Sequence, residues 1–204
     1  MEHARVHLLT ADPALVGDLV HYVTNDARKL VEDHPGNRGM ALLGIPELAV
    51  MVVETFWVTG DAMRDSEKAE EPLRREAIRQ GRATVSVERH EVASSVRLER
   101  ARPGAGVRLT RVDFEPATVG PAIADYEDTA LPWLTEAEGF CSALLLVHRR
   151  SGRAIFETVW RDGAALAASR SAAAAIRADA MAATGGVIRA LEELRLEFNS
   201  APLP

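Results

Sequence analysis

Along the first half of the chain, the spacing of apolar residues changes from the period of a strand to the period of a helix and then back to that of a strand. Residues 5–10 alternate apolar and polar as a strand does, and the apolar positions of residues 16–31 recur every three or four residues, as on one helix face. Two apolar runs, 40–43 and 48–57, predict an antiparallel hairpin. A second helix and a last strand follow, which gives the order β-α-β-β-α-β.

The same order returns 103 residues later. Val53-Glu54-Thr55-Phe56-Trp57 comes back as Phe156-Glu157-Thr158-Val159-Trp160, and the self-similarity runs without a gap from Pro13 and Pro116 to Arg74 and Arg177. Shared composition does not produce such an alignment, so the sequence predicts a duplicated structural unit.

The predicted fold class is α+β, with two tandem ferredoxin-like units. Unit 1 is predicted at residues 1–92 and unit 2 at residues 107–204, with residues 93–106 as a linker. A four-stranded sheet with helices on one side leaves its other face bare. We therefore expect the two antiparallel sheets to pack into an intrachain α+β barrel, a pseudo-dimer that leaves a further homodimer open.

Three finer predictions concern the end of each unit. Glu71-Pro72 is expected to interrupt the second helix of copy one, because proline lacks a donor and clashes with the preceding turn. The alanine-rich helix of copy two is expected to run straighter. The last strands are predicted at residues 84–92 and at about residues 191–198.

Composition narrows the class of protein without naming a reaction. The 204 residues are 47% hydrophobic and 26% charged, which is ordinary for a globular chain. A net charge of −6 argues against nucleic acid or an anionic membrane as a partner. The N-terminus lacks a signal-peptide layout, so we expect a cytoplasmic protein, and the single Cys141 cannot form an internal disulfide.

Several short motifs of copy two resemble a known family. They are Leu131-Pro132-Trp133-Leu134, Glu138-Gly139-Phe140, Ser151-Gly152-Arg153 and Glu157-Thr158-Val159-Trp160. Together they are similar to the skeleton of the antibiotic biosynthesis monooxygenase-like proteins, and copy one shows a fainter version. The resemblance implies a dimeric α+β-barrel fold, and it implies oxygenation of an aromatic or polyketide-type molecule without a cofactor. The haem-degrading branch carries a first-strand asparagine and a helix histidine that neither copy has.

Two carboxylates are candidates for chemistry because they interrupt apolar strands. Burial of Glu54 or Glu157 costs free energy unless the carboxylate is paired or takes part in catalysis. A raised pKa would make Glu54 a general base. An ion pair with an arginine is the alternative interpretation. Trp57 and Trp160 are candidates to line an aromatic pocket together with Glu157, and packing in the core is their alternative role.

The remaining candidate site residues lie in copy one, which has more side chains suited to lining a functional site than copy two. His7 and His21 are candidate catalytic residues beside Glu54, and Tyr22 and Met51 are candidate ligand contacts. Each histidine has packing as its alternative role. The histidines show no metal-ligand spacing, so no metal and no cofactor is expected. Copy two, with its many alanines, is expected to be a structural partner.

Two hypotheses therefore stay open. One is a cofactor-independent monooxygenase-like enzyme acting on a small hydrophobic or aromatic molecule. The other is a non-catalytic ligand-binding or scaffold protein of the same fold. An apolar cavity reached by polar groups favours ligand chemistry, whereas solid packing between sheet and helices argues against it.

Overall fold

The computed structural model describes residues 2–201, which form eight strands and eight α-helices. The strands are β1 (His3–Thr10), β2 (Asn37–Ile45), β3 (Val50–Trp57), β4 (Thr84–Arg97), β5 (Gly106–Asp113), β6 (Phe140–His148), β7 (Arg153–Trp160) and β8 (Val187–Asn199). The helices are α1 (Val16–Tyr22), α2 (Arg28–Glu32), α3 (Gly60–Asp65), α4 (Glu67–Gly81), α5 (Val119–Asp125), α6 (Leu131–Glu136), α7 (Gly163–Ala168) and α8 (Arg170–Thr184). Within this described part of the chain, no helix is long and apolar enough to cross a membrane.

The strands follow the hydrogen-bonded order β1-β3-β2-β8-β5-β7-β6-β4, which closes as a barrel. β1 pairs antiparallel with β3 and β4, and β5 pairs in the same way with β7 and β8. The α+β class, the duplicated ferredoxin-like order and the intrachain barrel predicted from the sequence are therefore confirmed.

The chain divides into two compact units that exchange the ends of their last strands. Unit 1 contains residues 2–91 and 196–201, and unit 2 contains residues 92–195. β4 continues to Arg97, so the first five residues of the predicted linker are strand. β8 likewise begins at Val187, earlier than predicted. Pairing with neighbouring strands extends both beyond what their mixed polar sequence indicates, because strand preference depends on context.

The first long helix of each unit contains a π-helical segment. It spans residues 23–27 in unit 1 and residues 126–130 in unit 2, the same positions at the repeat offset. Such segments are rare and occur often at functional sites. Their presence in both copies indicates that the duplicated unit already had this feature.

The predicted interruption of the second helix at Pro72 is wrong. α4 runs through Pro72 without a break, and the chain breaks earlier, at Ser66. The alanine-rich helix of unit 2 breaks at the equivalent Ser169, so the prediction of a straighter helix is also wrong. Pro72 is the sixth residue of α4, and the helix continues through it with one backbone donor missing. The break instead follows the hydrogen bonds of the serine hydroxyl described below.

Candidate functional site

Unit 2 contains an apolar cavity between its strands and helices. β5, β7, α5, α6 and α8 contribute its lining, together with the π-helical segment, and four aromatic side chains form much of its wall: Phe114, Tyr126, Trp133 and Phe156. The Tyr126 and Phe156 rings lie 5.4 Å apart. The cavity volume is about 90 Å³. Since one water needs about 10–15 Å³ by this measure, there is room for about six water molecules.

Unit 1 contains the duplicate of this cavity, with a volume of about 60 Å³. Of its 14 lining residues, 12 have their repeat equivalents in the lining of the unit 2 cavity. The cavity is therefore a property of the repeated unit. The sequence indicated copy one as the functional half, but the larger cavity lies in unit 2. One reason is that Ala173 of unit 2 stands where unit 1 has the larger Glu70.

The polar end of the unit 2 cavity is organised around Arg108, which is 3% exposed. Its guanidinium donates to the Ser169 hydroxyl at 2.9 Å and to the Leu166 carbonyl at 3.0 Å. It also donates to Glu193 Oε1 at 2.8 Å. Hydrogen bonds from Arg170 and from Arg108 hold the pKa of the Glu193 carboxyl below its ordinary value.

A threonine held by a tryptophan faces each cavity. Trp160 Nε1 donates to Thr158 Oγ1 at 3.0 Å, and Trp57 Nε1 donates to Thr55 Oγ1 at the same distance. Each threonine lines its cavity and each tryptophan does not. Because the indole N–H occupies a lone pair of the threonine oxygen, the hydroxyl proton is free to point elsewhere. This hydrogen bond gives a physical reason for the Thr-x-Trp part of the repeated motif.

Unit 1 fills the equivalent polar end with internal ion pairs. Arg5 is fully buried and donates to the Ser66 hydroxyl at 3.0 Å. Its Nη1 also lies 2.5 Å from Glu70 Oε2. Arg74 Nη2 lies 2.5 Å from Glu67 Oε1. The cations of this cavity are thus neutralised by the protein itself.

Two of the residues predicted as site residues line the unit 1 cavity. His7 is buried, and burial lowers its pKa to about 3, with the charges of Arg5 and Arg74 acting in the same direction. His7 is therefore neutral near pH 7. The Tyr22 hydroxyl donates to the Leu73 carbonyl at 3.2 Å, and burial raises the pKa of Tyr22.

The other predicted site residues lie away from both cavities. Glu54 is 0% exposed, and strand alternation places it on the face opposite Thr55, which lines the cavity. Glu157 has the equivalent place in unit 2, and both carboxylates have interaction partners. His21 is exposed and lies 3.3 Å from the Asn25 amide.

Met51, Trp57 and Trp160 are core residues. Met51 is 1% exposed and packs in the hydrophobic core of unit 1. Arg5 lies over the Trp57 ring at 5.6 Å from its centroid, and Trp160 packs against Phe140 at 5.7 Å. The two tryptophans are linked to the cavities through their hydrogen bonds to Thr55 and Thr158, which line them.

The arginines that organise both sites are not among the residues predicted from the sequence. Arg5 and Arg108 stand at equivalent positions of β1 and β5, and the offset of 103 residues pairs them. That offset was the available signal, because an arginine in an alternating strand otherwise indicates a solvent-facing position. Asp125 and Tyr126 were missed for a different reason, since neither is kept in copy one. Burial raises the pKa of Tyr126, so its hydroxyl stays protonated.

Among residues 2–201, no cluster of three His, Cys, Asp or Glu side chains has the arrangement to hold a metal ion.

The sequence matches no family model. It is 28% identical over 201 residues to the uncharacterised protein Rv2557 of Mycobacterium tuberculosis, covering 98% of this chain and 89% of that protein. It is 26% identical over 203 residues to Rv2558 of the same organism, covering 99% of this chain and 86% of that protein. Both alignments cover nearly the whole of this chain.

Solved structures share the fold at low sequence identity. An anthrone oxidase-like protein superposes with a TM-score of 0.70 at 16% identity, covering 98% of this chain and 93% of that chain. A ferredoxin-fold protein from Listeria monocytogenes, related to antibiotic biosynthesis monooxygenases, has a TM-score of 0.54 at 10% identity, covering 94% of both chains. The chain therefore has the ferredoxin-like barrel fold of the antibiotic biosynthesis monooxygenase-like proteins, with both units in one chain.

Proposed function

We propose that the unit 2 cavity binds a small aromatic molecule and that the protein oxygenates it with molecular oxygen, without a resident cofactor. The observation that carries the proposal is the aromatic-walled cavity reached by several polar side chains. Apolar walls with a few convergent polar groups are typical of small-molecule sites. The oxygenation half of the proposal is supported by the fold, which this chain shares with the anthrone oxidase-like protein.

The size of the cavity limits the substrate. Room for about six water molecules corresponds to about 180 Å³ of liquid water, which suits a single substituted ring. A larger, polyketide-type molecule would have to extend out of the cavity. We therefore take dihydroxybenzenes as the substrate class to test.

Two side chains have the chemistry that such a reaction needs. Among the described residues that line the cavity, Asp125 provides the carboxylate, and it is the candidate to accept the phenolic proton. The protonated Tyr126 hydroxyl is the candidate donor to a developing oxyanion. A dihydroxybenzene then gives up four electrons to O2. One oxygen atom enters the ring as a hydroxyl, the other leaves as water, and the product is a hydroxyquinone.

The test is oxygen uptake with purified protein and a panel of dihydroxybenzenes. Protein-dependent uptake is expected, with one atom of labelled oxygen in the product. Asp125→Asn is expected to lower the rate about 100-fold or more while ligand binding persists, because the proton acceptor is lost. Asp128→Asn, at an exposed position of the adjoining π-helical segment, is the matched control. Ligand binding without oxygen uptake in the unaltered protein would leave the binding-protein hypothesis.

A further inference from the structure

Arg177 is a half-buried arginine that lines the unit 2 cavity without a carboxylate partner. No carboxylate oxygen within residues 2–201 lies within 4.0 Å of its guanidinium. Burial lowers the pKa of Arg177, the charge of Arg108 lowers it further, and Glu193 opposes them. A guanidinium held in an apolar wall in this way is costly unless an anion neutralises it.

The equivalent arginine of unit 1 is neutralised. Arg74 Nη2 lies 2.5 Å from Glu67 Oε1, and Arg74 Nη1 lies 4.0 Å from Glu70 Oε2. At the repeat offset, unit 2 has Arg170 in place of Glu67 and Ala173 in place of Glu70. One copy thus keeps two carboxylates beside its arginine pair, and the other copy has neither.

Glu193 compensates for only part of this difference. It pairs with Arg108 at 2.8 Å and with Arg170 at 2.5 Å, so one carboxylate serves two guanidinium groups. Asp125, on α5, lines the same cavity but forms no ion pair with Arg177, which lies on α8. The polar end of the cavity therefore has an excess of positive charge at Arg177.

The geometry points to an anionic ligand: we propose that the unit 2 cavity selects an aromatic carboxylate, whose carboxylate lies above Ala173 between Arg108 and Arg177. The Glu70 side chain of unit 1 shows how such an anion fits, because it occupies the equivalent space between Arg5 and Arg74. The inference rests on the proposed function for the location of the site and adds the class of ligand.

The hydrophobic part of the ligand has a matching environment. Phe114, Phe156 and Tyr126 form a row of rings along one wall, with centroid distances of 6.3 and 5.4 Å. Ala173 and Ala180 leave room on the α8 side. A benzoate ring can stack on this row while its carboxylate accepts hydrogen bonds from the guanidinium groups.

The test compares benzoate with its neutral analogue benzamide by isothermal titration calorimetry. Benzoate is expected to bind at least about tenfold more tightly, because a hydrogen bond to a charged group is stronger than a neutral one. Arg177→Gln is expected to remove that preference. Ala173→Glu is expected to abolish benzoate binding, because it supplies the internal carboxylate that unit 1 already has.

Arg74→Gln is the matched control, since it changes the equivalent residue of the smaller cavity. It is expected to leave benzoate affinity unchanged. Thermal unfolding of each variant identifies loss of fold, and Arg177→Lys, which keeps the charge, is expected to retain part of the preference.

Equal affinity for benzoate and benzamide in the unaltered protein would overturn the anion inference while leaving the cavity as an aromatic site. Unchanged benzoate binding in both Arg177→Gln and Ala173→Glu would overturn it as well. Failure of every ring compound to bind would instead contradict the proposed function itself. Because binding is measured without turnover, the absence of oxygenation does not affect the result.

Discussion

Equivalent residues of the two copies have the same place and different charge environments. Arg5 and Arg108 each contact a serine hydroxyl and the carbonyl of the preceding helix, which are contacts that stabilise the fold. The residues beside them differ, since Glu70 stands against one and Ala173 leaves space at the other. The packing around the two arginines is therefore the same in both copies, whereas the charges beside them differ.

His7 allows a test of burial at a single residue. Its pKa of about 3 in the fold compares with 6.5 for an ordinary histidine. Between pH 6.5 and pH 3 the His7 side chain is therefore protonated in the unfolded chain and neutral in the folded chain. The free energy of unfolding consequently falls as the pH is lowered from 6.5 towards 3. Each pH unit costs about 1.4 kcal/mol. Between pH 7 and pH 4.5 we expect His7 to remove about 2–3 kcal/mol from the free energy of unfolding.

The measurement is urea unfolding of the unaltered protein and of His7→Thr at both pH values. Threonine stands at the equivalent position of unit 2, Thr110, so the substitution suits the site. The variant is expected to lose less stability than the parent on acidification. Identical pH dependence of the two proteins would show that His7 is not held neutral by burial.

Element order was predictable, and the positions of breaks within elements were not. The strand and helix periods predicted the β-α-β-β-α-β order of both copies, because apolar periodicity reflects which face is buried. Ser66 and Ser169 break the second helices through contacts with Arg5 and Arg108, which lie about 60 residues away in sequence. The cavity is lined by six elements of unit 2, so only folding brings Arg177 into the same cavity as Asp125 and Tyr126.

Ser66→Ala tests whether the hydroxyl stabilises the break between α3 and α4. The Ser66 oxygen accepts from Arg5 and lies 2.9 Å from the Met63 carbonyl oxygen and 3.1 Å from Glu70 Oε1. Its removal leaves a buried charged donor short of one partner, so we expect a loss of about 1–3 kcal/mol in the free energy of unfolding. Urea titration monitored by circular dichroism measures it.

Ser169→Ala is expected to have a similar effect in unit 2, because Ser169 accepts from Arg108 at 2.9 Å. Ser171→Ala, at an exposed position two residues further on, is the control and should change stability by less than about 0.5 kcal/mol. If both hydroxyl deletions match this control, the serine contacts do not hold the helix break.

The whole chain is a duplication in which each unit includes the end of the other copy's last strand. Unit 1 includes residues 196–201, which follow the entire second copy in sequence. The predicted boundaries treated the copies as consecutive blocks, since an internal repeat shows where similarity starts and not which segment completes which core. Phe198 belongs to the unit 1 core and receives the Arg28 guanidinium over its ring at 4.9 Å.

Truncation after Arg195 should therefore destabilise unit 1, although the residues that it removes follow unit 2 in the sequence. It removes the Ser200 backbone N–H that donates to the Met40 carbonyl at 2.9 Å, the buried Leu196 and the Phe198 ring. Hydrogen exchange is expected to show loss of protection in β2 and β3, while β5 and β7 keep theirs, because β8 still pairs with β5 up to Arg195. A chain ending at Ala201 retains these contacts and is the control. Equal loss of protection in β5 and β7 would show that residues 196–201 stabilise both units alike.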